Sequence, residues 1–442
     1  MTLPFRAHLE CRAGCTGSLP LVTRDVVCPR CGGLLAVAHD MDALKSKSGA
    51  EWRALFDARS RGPLDASGVW NKREWVNPEL SPGDVVTLGE GATPLTHATR
   101  LARELDLAWL GLKQCGTSHT GSFKDLGMTV LVSTVRYGVR TGALASPVLA
   151  CASTGDTSAA LAAYGAAAAM PVVVLLPKGL VSTAQLVQPL AHGATVLALE
   201  SDFDGCMKVI QELARRGLVY LANSMNAIRI EGQKTVAFEI AQQLSWEVPD
   251  WVVLPGGNLG NSAALHAGFA MMKELGVIDR MPRLVVAQAH EANPLFRAFK
   301  HGSKTVEPVT AGRTLASAIQ IGNPVSAPRA MAALEAMNGV VEEATESELA
   351  NAAAEADRAG LYACPHTGVA LAAVKKLRAR DVIGAADKVV VVSTASALKF
   401  TEFKLGYHER RLAGVDTRLA NEPRTLPADA DAVAAALSAL QP

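Results

Sequence analysis

From about residue 96 onward, short runs of β-branched and aliphatic residues alternate with longer amphipathic or alanine-rich stretches. The runs at 107–112, 148–152, 172–176, 195–199, 219–222, 251–254, 284–287 and 389–392 predict strands, with helices between them. Unbroken apolar runs of this length are what strands buried on both faces of a parallel sheet require. Several end in polar, glycine-rich turns, the place where open α/β sheets put their ligands. Residues 1–95 lack that rhythm: cysteine knuckles, a charged helical stretch over 39–59 and a loop-rich segment over 62–82 predict a small N-terminal accessory domain. The tail over 415–442 turns to charged and proline-containing sequence before an alanine-rich helix over 429–440.

Composition narrows the reading. At 442 residues the chain is long enough for about three domains of the usual ~150 residues, each with its own core. Lys plus Arg number 43 against 42 for Asp plus Glu, and no basic block of five residues occurs, which argues against a nucleic-acid or acidic-membrane partner. One uncharged stretch, AALAAYGAAAAMPVVVLLP at 159–177, approaches bilayer-spanning length. It is mostly alanine, however, and Pro171 divides it into a helix and a buried strand. The first residues carry no signal-peptide core and no amphipathic presequence, so a cytoplasmic protein is expected.

Of eight cysteines, four fall in the first 31 residues: Cys11, Cys15, Cys28 and Cys31. The second pair sits in CPRCGG, a knuckle that aims two thiolates at one Zn²⁺, whereas the first has the irregular spacing C-x3-C. Zinc binding and a metal-free remnant of a zinc ribbon are both open on this pattern. Cys115, Cys151, Cys206 and Cys364 are scattered among small or apolar residues and read as buried thiols.

Four turns carry candidate chemistry. In TGSFKD at 120–125, Lys124 sits among anion-binding groups beside the bulky Phe123, surroundings in which an amine loses its proton and becomes nucleophilic; the alternative is a solvated lysine at a helix start. PGGNLGN at 255–261 follows an apolar strand and precedes a helix, so Gly256, Gly257, Asn258, Leu259, Gly260 and Asn261 form a cradle for a phosphate, or a tight turn without ligand. It lacks the lysine ending of a P-loop and the downstream acid of a dinucleotide fingerprint, which favours a single phosphate. STGDTS at 153–158 and STAS at 393–396 are hydroxyl-rich strand ends that either cap helices or hold a carboxylate. An activated lysine, a monophosphate cradle and hydroxyl-rich strand ends are together the parts of a pyridoxal 5'-phosphate site.

At these residues the chain resembles the threonine synthases of the plant-type branch. The resemblance is carried by CGTSHTGSFKDLGM at 115–128, CASTGDTSAAL at 151–161, DFDGCM at 202–207, LANSMNAIRIEGQK at 221–234, PGGNLGN at 255–261, ASAIQIGN at 316–323 and PHTGVA at 365–370, and it runs from about residue 33 to 408. Two features depart from it: the N-terminal cysteines, and Ser396-Ala397 where a His-Gly pair is expected before Leu398.

The resemblance implies the type II pyridoxal phosphate fold: two parallel-sheet α/β domains, a large one over 96–140 and 224–414 and a small mobile one over 141–223, with the cofactor between them. It implies a homodimer that converts O-phospho-L-homoserine and water to L-threonine and phosphate, with activation by S-adenosylmethionine as a further expectation. Lys124 would hold the cofactor as a Schiff base and shuttle protons. Phe123, Asp156, the cradle residues and Thr394, opposite the pyridine nitrogen, would contact the cofactor. Ser153, Thr154 and Thr157 would take the substrate carboxylate, and Arg229 the substrate phosphate, unless Arg229 is a surface residue paired with Glu231. Ser118, His119, Lys113 and Asn223 are further candidates, and His119 and His366 could titrate near neutrality. Competing readings are another type II enzyme, a cysteate synthase or a threonine dehydratase, and a non-catalytic ligand sensor on the same fold.

Overall fold

A computed structural model describes residues 4–438 apart from 60, 61, 63, 154 and 180–182. Thirteen strands among them are Ala7–Cys11 (β1), Ser18–Pro20 (β2), Leu35–His39 (β3), Leu95–His97 (β4), Trp109–Gln114 (β5), Leu149–Ala152 (β6), Val172–Pro177 (β7), Thr195–Leu199 (β8), Tyr220–Leu221 (β9), Trp251–Pro255 (β10), Arg283–Ala289 (β11), Val340–Ala344 (β12) and Lys388–Ser393 (β13). They form three sheets. The head sheet, β2-β1-β3, is antiparallel. The central sheet runs β12-β11-β10-β13-β5-β4 and is parallel except for the edge strand β4. The third, β8-β7-β6-β9, is parallel and drawn wholly from residues 149–221.

Burial explains why most of these strands are visible as apolar runs. Every residue of β10 is buried, as are the valines of β13, because helices cover both faces of the central sheet. The strand β12 has no such signature: its sequence is VVEEA, and its acids are neutralised from the side. Glu342, only 3% exposed, is paired with Arg380 and Lys376, while Glu343 accepts from Asn293 and His290. An ion-paired edge strand does not read as a strand in single-sequence periodicity.

The segment read as loop-rich over 62–82 is instead an anchor. Trp70 and Trp75 are completely buried, and Trp70 donates its indole N–H to Thr129 on the helix Lys124–Arg140 at 2.7 Å. Trp75 packs edge-on against Phe56 and Phe238, with ring centroids 4.7 and 5.0 Å away, so the head shares one core with the helix Thr235–Gln243.

The helix Lys124–Arg140 leads from the central sheet toward the third one and is buried along most of its length. It meets the short helix Ile228–Gln233 backbone to backbone: a Cβ placed on Gly232 would lie 1.6 Å from the Leu126 carbonyl oxygen, and one on Gly127 2.8 Å from that of Arg229. Only glycines permit this approach, and it sets Arg229 above the start of the Lys124 helix.

Candidate active site

A cleft opens between the ends of the central and third sheets, where the candidate residues of several turns converge. On its floor, Gly121 turns the chain with φ +81, and the turn is laced to the end of β13: Phe123 N–H donates to the Thr394 carbonyl at 2.9 Å, and Ser396 N–H to the Gly121 carbonyl at 2.8 Å. This fixes Lys124, the first residue of its helix, beside Thr394 with its ammonium 4.3 Å from the centre of the Phe123 ring. Burial and the nearby Arg229 guanidinium bring the Lys124 pKa down to about 7, against the opposing pull of Asp156. At neutral pH a large share of this amine is therefore unprotonated and nucleophilic.

Opposite lies the turn after β10. Gly256 N–H donates to Ala287, Asn261 ties its amide to the Pro255 carbonyl at 2.7 Å, and Leu259 takes the left-handed conformation at φ +64. The chain then enters the helix Gly260–Glu274, whose first N–H groups and positive dipole face the turn. The room is made by glycine: a Cβ on Gly256 would lie 2.5 Å from Val286, and one on Gly257 3.0 Å from Ile319. Gly257, Asn258, Leu259, Gly260 and Asn261 line the cleft, while Gly256 supports it from behind.

Arg229 enters from a third side and is 2% exposed. It is not paired with Glu231, which bonds His39 and Lys234 instead. Its Nη1 donates to the Ala222 carbonyl at 3.0 Å, Nη2 lies 3.5 Å from Thr157, and Nε is buried without a partner. Burial lowers the pKa of this guanidinium to about 10, so it remains charged at neutral pH.

Asp156 begins the helix Asp156–Ala167 and lines the cleft; its carboxylate is held by Lys399 at 2.7 Å. Lys399 also donates to the Thr120 carbonyl at 3.0 Å and reaches Gln188 at 3.4 Å, bridging the two sheets' ends. His366 accepts the Ala318 N–H at Nε2, 3.0 Å away, and burial pushes its pKa down to about 4, so it is a neutral acceptor rather than a group that titrates near neutrality.

Phe123, Lys124, Asp156, Thr394, Arg229 and the cradle thus meet in one place. The other candidates among the described residues do not line the cleft. His119 is exposed, near His192; Ser118 is buried against Gly91 N–H. Asn223 uses both ends of its amide on the Ala152 backbone, extending β6, and Lys113 is locked to Glu239, Thr93 and Gln243. Ser153 accepts from Gly155 N–H at the rim, Thr157 stands behind Arg229, and Thr154 lies outside the described residues. Ser224, Ile230, Gln233, Ala318 and Ile319 line the cleft without having been singled out, although each lies inside one of the resembling blocks.

The family described as pyridoxal-phosphate dependent enzyme matches residues 86–395, and fold and cleft define this class: a lyase that uses pyridoxal phosphate. Among similar proteins, threonine synthase 2, chloroplastic, of Arabidopsis thaliana is 55% identical over 399 residues, covering 89% of this chain and 77% of that one. Threonine synthase of Methanocaldococcus jannaschii is 39% identical, covering 84% and 87%. The threonine synthase structure from Escherichia coli superposes with a TM-score of 0.67 at 20% identity, covering 98% of this chain and all of that one, a likeness of fold. The chain belongs to the threonine synthase family. No helix among the described residues is long and apolar enough to cross a membrane.

Proposed function

We propose that the enzyme converts O-phospho-L-homoserine and water to L-threonine and phosphate, with Lys124 as the residue that holds pyridoxal phosphate. The residues present fit that cofactor: an amine on the floor whose pKa is brought down to about 7, a cradle that a Cβ would fill, and a hydroxyl at Thr394. The observation that carries the substrate is Arg229. A buried, charged guanidinium with an unpartnered Nε, in addition to the phosphate cradle, provides for a second anion, and O-phosphohomoserine brings its own phosphate. A dehydratase acting on threonine has no use for this group.

When bound, pyridoxal phosphate supplies the electron sink that stabilises negative charge on substrate carbons. With the cofactor in place, Lys124 would be positioned to move a proton at the α carbon and then at the β carbon, and its lowered pKa suits both directions of transfer. Thr394, which lines the cleft, would offer a neutral hydroxyl to the cofactor's ring nitrogen. Arg229 holds the phosphate that leaves when the Cγ–O bond breaks; the hydroxyl of water ends on Cβ and a proton on Cγ. Phe123, Ile230 and Ile319 keep bulk water off the reacting carbons. Ser153, Thr154 and Thr157 are proposed for the substrate carboxylate, from the strand end that opens the Asp156 helix.

The test is direct. Borohydride reduction should fix the cofactor on Lys124, and O-phosphohomoserine should yield threonine and phosphate in equal amounts. Consumption of threonine to ketobutyrate and ammonia would favour the dehydratase, and an unlabelled Lys124 would leave only the sensor. We infer further that the chain works as a cytoplasmic homodimer and that its domains divide at about residues 95, 140, 223 and 414. Light scattering checks the dimer, cell fractionation the compartment and limited proteolysis the boundaries. A rate unchanged by S-adenosylmethionine would remove activation by that effector.

A further inference from the structure

At the tip of the head sheet two tight turns face each other. Cys11 ends β1, and Gly14, left-handed at φ +82, donates back to the Cys11 carbonyl at 3.1 Å and returns the chain toward it at Cys15. In the second turn Gly32, at φ +70, donates to the Cys28 carbonyl at 2.8 Å, and Cys28 N–H donates to Gly33 at 2.8 Å, so Cys28 and Cys31 point the same way. Arg12 N–H bonds the Leu34 carbonyl at 3.0 Å and fastens one turn to the other.

The result is four sulfur atoms within 4.8 Å of one another, with Cys11 and Cys31 3.5 Å apart. Four thiolates placed about 2.3 Å from a tetrahedral zinc are separated by about 3.8 Å, whereas a disulfide needs about 2.05 Å. The spacing is that of a coordination shell. The Gly33 N–H lies 3.4 Å from the Cys31 sulfur, the kind of backbone donor that stabilises a bound thiolate. Among the described residues this is the one group of three or more His, Cys, Asp or Glu side chains gathered closely enough to hold a metal ion.

We propose that Cys11, Cys15, Cys28 and Cys31 bind one Zn²⁺ as four thiolates. Each thiol gives up its proton on binding, leaving a site of net charge −2; Arg30, which bonds Thr16 at the rim, lies beside it to offset that charge. With all four positions filled by sulfur, the ion has no place for substrate and acts as a structural clip. It compensates for the small apolar surface that three short strands can bury.

Metal analysis of the purified full-length holoenzyme, after dialysis against metal-free buffer, should find one zinc per chain. Cobalt exchanged into the protein should give thiolate-to-metal charge-transfer and tetrahedral visible bands. Iodoacetamide should modify Cys11, Cys15 and Cys31 only after a strong chelator has released the ion, and Cys28→Ser and Cys31→Ser should lose the zinc. Should those variants fail to fold, thiol protection in the unaltered protein still decides. Absence of zinc with these cysteines alkylated as free surface thiols, a Cys11–Cys31 disulfide, or iron in zinc's place would overturn the proposal.

Discussion

The close approach of the helices Lys124–Arg140 and Ile228–Gln233 makes a graded prediction. A methyl group at Gly232 would lie 1.6 Å from the Leu126 carbonyl oxygen, about 1.4 Å inside the nearest distance such carbons keep. The obstacle is backbone, so no side-chain rotation relieves it and the helices must separate. Alanine gains up to ~1 kcal/mol over glycine in a helix interior, but overpacking of this severity costs about 3 kcal/mol, so the clash wins. Gly127→Ala meets the Arg229 carbonyl at 2.8 Å, a smaller conflict but again with backbone, so the helix gain offsets only part of its cost. Gly83→Ala, whose nearest neighbour is 4.0 Å away, is the control. Differential scanning calorimetry should show the unfolding midpoint of Gly232→Ala lowered by roughly 2–3 °C, that of Gly127→Ala by less, and Gly83→Ala near the parent. Because Arg229 rides on the displaced helix, the KM for O-phosphohomoserine should rise in the same order. A Gly232→Ala protein with parental midpoint and KM would refute the claim that this contact positions Arg229.

Three further outcomes are expected. Replacing Arg229 by Gln removes a charge-assisted grip on phosphate of about 1.5–3 kcal/mol, so kcat/KM should fall roughly 10- to 100-fold while borohydride still fixes the cofactor on Lys124. In cofactor-free protein, the rate at which Lys124 captures pyridoxal phosphate should rise through a midpoint near pH 7, since burial and Arg229 hold the amine there; a profile still climbing at pH 10 would contradict this. The pKa of His366 lies at about 4 in the fold against 6.5 when free, so the unfolded chain binds the extra proton as pH falls below 6.5, and stability is lost down to about pH 4. The loss is on the order of 3 kcal/mol, and urea titrations of His366→Asn should show a flatter decline over that range.

Sequence was most informative where one physical requirement dominates. Strands such as β7 and β10, buried on both faces, must be apolar throughout, and the glycine turn at 255–261 must lack side chains where it passes Val286 and Ile319. It was least informative where partners come from far along the chain. Glu342 hides β12 because its counter-ions come from the helix Pro365–Ala379 and its C-cap Arg380. Trp70 and Trp75 lie in a Gly- and Pro-rich stretch whose meaning depends on Thr129 and Phe238. Ser118 and His119 are neighbours of Lys124 in sequence, but the reversal at Gly121 carries them away from the cleft. Lys399, 243 residues beyond Asp156, gave no local sign that it would hold that carboxylate.

The contact of His39 with Glu231 bears on how far the protein can be shortened. His39 ends β3, is buried with the Glu231 carboxylate 2.6 Å away and the Lys234 ammonium 3.0 Å away, and so grips the helix that presents Arg229. The family match begins at residue 86, which invites a trimmed enzyme starting there. Such a fragment would open Glu231 and Lys234 to solvent, strip the aromatic cover from Phe238 and free the Arg229 helix on its outer side. The minimal catalytic unit therefore extends upstream of the family boundary, and residues that never touch substrate inherit the same constraint as those that do.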